Sequence, residues 1–409
     1  MPADSLRYPH FLQQAAARSR HWLFDHALPL WWARGADHAG GGFHEKLDAR
    51  GQPVGRPTRV RVQSRQVFVY ARAGALGWNG PWQQAMRHGL DFMRHRHQRA
   101  DGFFRSTLDT ADQQVDLYDQ AFVLFALAHA WQAEGQPADL LAIARRLMAQ
   151  IAAHLRLPDG GYRASLDTGV TGLPSPAERQ SNPLMHLLEA LLAWVAVGAG
   201  EGFETQAVSL CRLAMDQLID PATGALPEHF GEGWQPQAGA GHTHPVFEPG
   251  HQFEWAWLLV QAQHLLGSAL PAAHPLAARL EHFGRRHGID AVRDVAIFST
   301  NAAGEALDRR ARLWAQTERL RTALLFAERG LGDPADRAAI EASAMSAFQT
   351  LERFLAVPTT GLWNEWMDED GRFPPGDAPA SSFYHLMTGF DSLLAAAAPA
   401  SAHAMNGTD

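Results

Sequence analysis

The sequence predicts an all-α fold of the (α/α)6-barrel type, six helical hairpins closed into a ring with short β-hairpins in the loops at one end. Three observations carry this expectation. Amphipathic helical segments recur along the whole chain, six short glycine-aromatic pieces interrupt them, and each piece is followed by a helix that opens polar or aromatic and continues apolar. No linker or shift of composition breaks the pattern, so a single domain over residues 1–409 is expected.

Segments such as QAFVLFALAHAWQ, ADLLAIARRLMAQIAAHL and RTALLFAERG repeat apolar residues at helical spacing. Between such segments come GGFHEKLDARG from Gly41, DGFFRSTLDT from Asp101, DGGYRASLDTG from Asp159, TGALPEHFGEG from Thr223, FSTNAAGEALD from Phe298 and TGLWNEWMDEDG from Thr360. They recur about every 60 residues, with one longer interval before the fifth. Each reads as a glycine turn followed by a few alternating residues, the pattern of a small strand or hairpin. The helix openings that follow are QSRQVFVYA, DLYDQAFVLF, SNPLMHLLEAL, PGHQFEWAWLL, LWAQTERLRTALL and SSFYHLMTGF. Six units of outer helix, loop and inner helix make twelve helices, with the inner N-termini around one cavity. An open solenoid would repeat in the same way. Closure is favoured because the inner helices are apolar almost all round, and because the chain ends in AAAAPASAHAMNGTD rather than in a long polar capping helix.

Composition excludes several classes of function. A net charge of -8, with acids and bases mixed, provides no basic stripe for nucleic acid. Cys211 is the only cysteine, which excludes an intrachain disulfide and a cysteine-built zinc site, and it reads as a buried small hydrophobe. The N-terminus mixes charges into every turn and shows no signal-peptide core, and the longest apolar stretch, LLEALLAWVAVGAG, is too short to span a bilayer. A cytoplasmic protein without a membrane partner is expected, and a homodimer is compatible with the sequence, which leaves the oligomeric state open. With 21 His and 13 Trp against 5 Tyr, ring donors and flat apolar faces abound, a mixture suited to a carbohydrate site.

Three inner helices present a histidine near their start. His186 follows Asn182 as N-cap and Pro183 at the first helical position, His251 follows Pro249-Gly250, and His385 follows a Ser382 cap. The positive end of the helix disfavours imidazolium, so all three are expected to be neutral bases. No HxH or HExxH pair places two ligands on adjacent helix turns; His242 and His244 form an HxH only in a loop, and no metal is expected. Glu189 and Glu254 lie three residues beyond His186 and His251, and Glu318 lies near another inner-helix start. A carboxylate so placed orients an imidazole and raises its basicity. Asp119 and Glu365 read as solvated or capping acids. Of Arg59, Arg61 and Arg65, at least one is expected to face the cavity and hold a carbonyl or enolate oxygen. Trp255, Trp314, Trp363 and Trp366 offer stacking surfaces for a sugar.

These openings resemble the N-acylglucosamine 2-epimerase family, which also includes cellobiose 2-epimerases and aldose–ketose isomerases acting on mannose. QSRQ (Gln63 to Gln66) is similar to the family's Q-x-R-Q, NPLMHLLEALLAW (Asn182 to Trp194) to its N-P-x-M-H-L-x-E-A, and GHQFEWAWLL (Gly250 to Leu259) to its G-H-x-x-E-W-A-W-L-L. LWAQTERLRT at Leu313 resembles its W-x-Q-x-E segment, and SSFYHL at Ser381 its terminal histidine motif. The resemblance implies the (α/α)6 barrel, His251 and His385 as catalytic histidines, and Arg65 as the family's arginine. His186, Glu189, Glu254, Trp255 and Glu318 match residues of its sugar pocket, to which Trp314 and Asn182 are added as substrate-binding candidates. It implies a small-molecule sugar substrate and chemistry without a metal or redox cofactor. Some members respond to ATP, but no phosphate-cradling glycine loop occurs in this chain.

The expected reaction is removal of the C2 proton of a ring-opened aldose by one histidine, with Arg65 steadying the cis-enediolate oxygen. Return of the proton to the opposite face of C2 makes this a sugar 2-epimerase, of the N-acylglucosamine/mannosamine or glucose/mannose type. Return to C1 makes it an isomerase of mannose or mannose 6-phosphate to the ketose, for which Arg59, Arg61 and Arg372 would supply phosphate contacts. A glycoside hydrolase on the same barrel would instead need two cavity carboxylates flanking the scissile bond. A non-catalytic sugar-binding scaffold would leave the three equivalent histidines unexplained.

Overall fold

The computed structural model describes residues 7–167 and 179–398. The end of the third glycine-aromatic piece and the chain from residue 399 onward, on which part of the closure expectation rested, lie outside the described residues. Among the described residues, twelve α-helices of 11 or more residues alternate between two layers. The outer layer holds α1 (Arg7–His21), α3 (Trp82–Phe92), α5 (Ala138–His154), α7 (Phe203–Leu213), α9 (Ala273–His287) and α11 (Arg337–Leu355). The inner layer holds α2 (Val60–Ala75), α4 (Leu117–Ala133), α6 (Ser181–Ala196), α8 (Pro249–Leu266), α10 (Leu313–Arg329) and α12 (Phe383–Ala396).

Each inner helix packs against the next in chain order, and α12 packs back against α2, so the inner ring is closed. Burial follows from this position: in α10 every residue from Leu313 to Ala327 is buried, because one side of the helix faces the barrel axis and the other faces the outer layer. Short turns join each inner helix to the following outer one, and the long loops all lie at the other end, where the inner helices begin.

Those loops are held by two repeated devices. The segment just before an inner helix pairs antiparallel with the loop of the next unit: Gln114–Asp116 with Ser165–Asp167, Arg179–Gln180 with His229–Phe230, and Ala311–Arg312 with Trp366–Met367. Ala378–Pro379, before α12, pairs with Lys46–Leu47 of the first loop in the register Lys46↔Pro379, Leu47↔Ala378, which closes the ring a second time. The sequence pattern marks hairpins within loops, and these do occur, as at Lys46–Leu47 with Pro53–Val54. It did not mark the pairing between loops, because neighbouring strands there come from different repeats. The long interval before the fifth piece is also explained. That loop carries an additional hairpin, Ile289–Asp290 with Val295–Ala296, ahead of Ser299–Thr300 with Ala306–Asp308.

In the second device the fourth residue of α2, α4, α8 and α10 is a buried glutamine: Gln63, Gln120, Gln252 and Gln316. Each amide accepts from the N–H and donates to the C=O of one loop residue, respectively Phe43, Phe104, Leu226 and Ala296, at 2.7–3.0 Å. A side-chain amide thus replaces a missing strand and satisfies loop backbone that would otherwise be buried unpaired. These bonds fix the loops that wall the cavity.

Candidate active site

All six inner helices contribute to one cavity of about 160 Å³ at their N-terminal ends. It is lined by Arg65 (α2), Tyr118 (α4), Asn182 and His186 (α6), His251 and Glu254 (α8), Trp314 (α10) and His385 (α12), with Glu248, Phe298, Arg312, Ser381 and Ser382 from the loops. Six helix dipoles present their positive ends there, a favourable setting for an anion that forms during reaction.

His251 and His385 pack on the same indole: their ring centroids lie 4.9 Å and 5.7 Å from that of Trp314. Gly250 makes room for this ring, since a Cβ there would fall 2.4 Å from Trp314 Cζ3. His251 Nδ1 donates to Glu228 Oε2 at 2.9 Å, with Glu248 Oε2 3.7 Å away. Burial alone would lower this imidazole, but the Glu228 and Glu248 carboxylates outweigh it and raise the pKa to about 10. His251 is therefore an imidazolium near neutral pH, contrary to the neutral form expected from its helix terminus. Glu248 is pushed by burial to about 7, against the pull of His251.

His385 Nδ1 lies 2.9 Å from Glu318 Oε1. Burial, then the nearby cations Arg65, Arg321 and Arg312 together with His186, hold this imidazole well below its ordinary value. With Nδ1–H given to Glu318, the Nε2 lone pair is left for the cavity. His186 is also kept neutral, by burial, at about 4, and its Nδ1 lies 3.2 Å from Glu189 Oε2. Glu254 is 1% exposed and neither of its oxygens has a hydrogen-bond partner; burial, then Glu318 and Glu189, push it well above the carboxylate range, so it offers the cavity a neutral carboxylic acid. Arg65 donates to the Ser381 carbonyl at 3.2 Å and to the Tyr118 hydroxyl at 2.5 Å, with its guanidinium 4.1 Å from the centre of the Phe122 ring.

The model of the N-acylglucosamine 2-epimerase (GlcNAc 2-epimerase) family matches residues 41–389. The chain belongs to this family. It is accordingly an enzyme of sugar epimerisation or isomerisation. The chain is similar to a mannose-6-phosphate isomerase of Rhizobium meliloti (strain 1021), 39% identical over 90% of this chain and 93% of that one. It is also similar to a D-mannose isomerase of Thermobifida fusca, 32% identical over 62% of this chain and 65% of that one. In fold it matches the cellobiose 2-epimerase of Spirochaeta thermophila with a TM-score of 0.80, covering 94% of this chain and 97% of that one at 19% identity. Among the described residues no helix is long and apolar enough to cross a membrane.

Within this epimerase-family barrel the candidate residues divide into three groups. His186, His251, His385, Arg65, Glu254, Trp314 and Asn182 line the cavity. Glu189 and Glu318 stand one step back and hold His186 and His385 by Nδ1. Trp255 is fully buried in the hydrophobic core, because position 255 turns away from the axis where 251 and 254 face it. Trp363 is likewise in the core, stacked 5.1 Å from Trp31. Asn182 is the second residue of α6 and caps nothing; its buried Oδ1 has no partner, which leaves it for a ligand hydroxyl. Ser382 donates to Glu365 Oε2 at 2.7 Å instead of capping α12. Asp119 pairs with Arg61 at 2.8 Å and Glu365 with Arg312 at 2.5 Å, while Arg59 pairs with Glu45 and the exposed Arg372 with Asp370.

Sequence reasoning missed Glu228, Glu248, Tyr118 and Arg312. Glu228 sits in a loop 23 residues before His251, and no helical spacing links the two. Tyr118 was legible: it occupies the second position of its helix, as Trp314 does in α10. Among the described residues, two groups bring ligand-type atoms within 4.8 Å of one another, His186–Glu189–Glu254 and Glu228–Glu248–His251, and are where a cation would be held. In both, the imidazole Nδ1 is already bonded to a carboxylate.

Proposed function

We propose that this enzyme moves a hydrogen at C2 of a ring-opened aldose through a cis-enediolate, with His385 as resting base and His251 as resting acid. The observation that carries this reading is the placement of two imidazoles on one indole in opposite surroundings: His251 stands beside the Glu228 and Glu248 carboxylates, which raise it, and His385 is buried near Arg65 and Arg321, which lower it. His385 Nε2 takes the C2 proton, which the adjacent carbonyl acidifies, and the C2–H electrons become the enediol double bond as the C1 oxygen gains charge. Arg65 and the inner-helix N-termini stabilise that oxygen. His251 delivers its Nε2 proton to the opposite face of C2, giving the 2-epimer; reaction of that epimer runs with the roles exchanged. The Glu254 carboxylic acid and Asn182 Oδ1 serve as donor and acceptor for sugar hydroxyls. A metal is not assigned a role in this sequence of steps.

A second reading follows from the relatives: the two named above, at 39% and 32% identity, are a mannose-6-phosphate isomerase and a D-mannose isomerase. In this reading the proton is returned to C1 and mannose becomes fructose. In either case a monosaccharide is favoured, because about 160 Å³ lies below the ~300 Å³ at which pockets for drug-sized ligands begin. Incubation with mannose, mannose 6-phosphate, N-acetylglucosamine and cellobiose in deuterated water, read by NMR, tests all of this. Deuterium at C2 of the 2-epimer, gluco-configured from mannose or its phosphate and manno-configured from N-acetylglucosamine or cellobiose, identifies epimerisation, and deuterium at C1 of a ketose identifies isomerisation. Turnover without any deuterium incorporation would overturn the exchanging enediolate route.

A further inference from the structure

We propose that Arg321, buried behind the cavity and touching no substrate, is the positioning residue that keeps Glu318 a carboxylate and thereby keeps His385 a base. The proposal rests on the reading of His385 as the group that takes the substrate proton.

Arg321 lies one turn beyond Glu318 on α10 and its side chain is 1% exposed. Its Nη1 is 3.1 Å from Glu318 Oε2, its Nη2 is 3.6 Å from Glu189 Oε1, and its guanidinium lies 3.7 Å from the centre of the Trp257 ring. The other oxygen of Glu318 is the one that meets His385 Nδ1. Arg321 also lines a second cavity of about 360 Å³, together with Glu189 and Trp257.

The groups facing this pair fix the charge balance. Glu189 and His186 come from α6, Glu254 and His251 from α8, Tyr384 and His385 from α12, and Arg65 from α2. The charged side chains of α11, which also packs on α10, are engaged elsewhere: Arg337 with Glu341, Glu352 with Arg18, and Arg353 with the Arg293 carbonyl. Three buried carboxyl groups, Glu189, Glu254 and Glu318, therefore share the Arg321 guanidinium. Against its burial, the contact with His186, the Arg321 charge and the hydrogen bond from Tyr384 keep Glu189 ionised, while burial and the neighbouring carboxylates keep the proton on Glu254. Glu318 is the undecided member: burial pushes it to about 7, and Arg321 opposes that.

The consequence is a choice of tautomer. An ionised Glu318 can only accept, so His385 must give it Nδ1–H and present the Nε2 lone pair. A protonated Glu318 would donate to Nδ1 and force the hydrogen onto Nε2, turning the base into a donor. Removal of the Arg321 charge favours the second state.

The test is the pH dependence of kcat and KM for the exchanging sugar. In Arg321→Met the acidic limb of kcat should move upward by about one pH unit or more, with turnover at pH 7 lowered about tenfold or more, recovering as pH rises, and KM little changed. Arg321→Lys should restore the limb toward its original position. A uniform loss at every pH in a folded Arg321→Met protein would overturn the proposal. If that variant does not fold, Glu189→Gln decides: with one like charge removed the limb should move downward, and an unmoved or raised limb overturns the idea. Absence of hydrogen exchange in the unaltered enzyme would instead strike the functional reading itself.

Discussion

His251 and His385 occupy the same position, third residue of an inner helix, and share the Trp314 ring and a carboxylate 2.9 Å from Nδ1. Their protonation is nevertheless opposite. Around His251 stand two loop carboxylates, Glu228 and Glu248. Around His385 stands one carboxylate already shared with Arg321, together with the charges of Arg65 and Arg312. The difference teaches that the surrounding charges, not the helix terminus, decide which imidazole holds the proton. A helix dipole contributes at most ~2 kcal/mol at such a place. Raising an imidazole from 6.5 to about 10 corresponds to on the order of 5 kcal/mol.

The widest break in the comparison comes from removing either ring. His251→Ala and His385→Ala should each leave a folded protein, by circular dichroism, with turnover lowered about 100-fold or more. Near-normal rates in both would reject the pair. Next in size is Gly250→Ala. Its Cβ would meet Trp314 Cζ3 at 2.4 Å and Cη2 at 2.5 Å, so the indole must shift and both imidazoles with it. A loss of about tenfold or more in kcat is expected by steady-state kinetics, with secondary structure intact.

A sharper separation of the two stations comes from Glu228→Gln. The alkaline limb of the wild-type rate should report His251 losing its proton at about pH 10. Without the Glu228 charge that limb should fall by about one pH unit or more, while the acidic limb stays. The sign for stability is the same. A histidine whose folded value is raised stabilises fully below its unfolded value of about 6.5, and the contribution disappears as pH rises through about 10. In Glu228→Gln, thermal melts should show less of the stability loss between pH 6 and pH 10 than in the unaltered protein, and a variant that keeps the full loss would argue against the pairing.

The smallest effect concerns His129, far from the chemistry. Burial between Phe68 and Phe125 lowers it to about 3, and its Nε2 has no partner. The unfolded chain binds this proton first, so stability falls as pH drops below about 6.5 toward 3. His129→Phe should flatten that acid loss in urea melts at pH 4 and pH 7; an identical acid loss would show that another group carries it.

Much of the site was legible because one helix turn after another obeys a fixed spacing. His251 and Glu254, three apart, do face the same cavity, and His186 and Glu189 do touch. The same rule misplaced Trp255, because it says which residues share a helix surface and not how wide the cavity-facing arc is. Glu228 and Glu248 lay outside its reach, since a loop has no period.

The sequence by itself determined the six-fold repeat, the twelve helices and which side chains stand at the inner N-termini, because period and turn chemistry are local properties. Only the tertiary structure decided that α12 closes on α2, that Glu228 reaches His251 across a loop, and that Arg321 meets Glu318 and Glu189 together. These last contacts set the proton inventory of the cavity. Electrostatic energy depends on distance through space and on exclusion of water, neither of which is written in the order of residues along the chain.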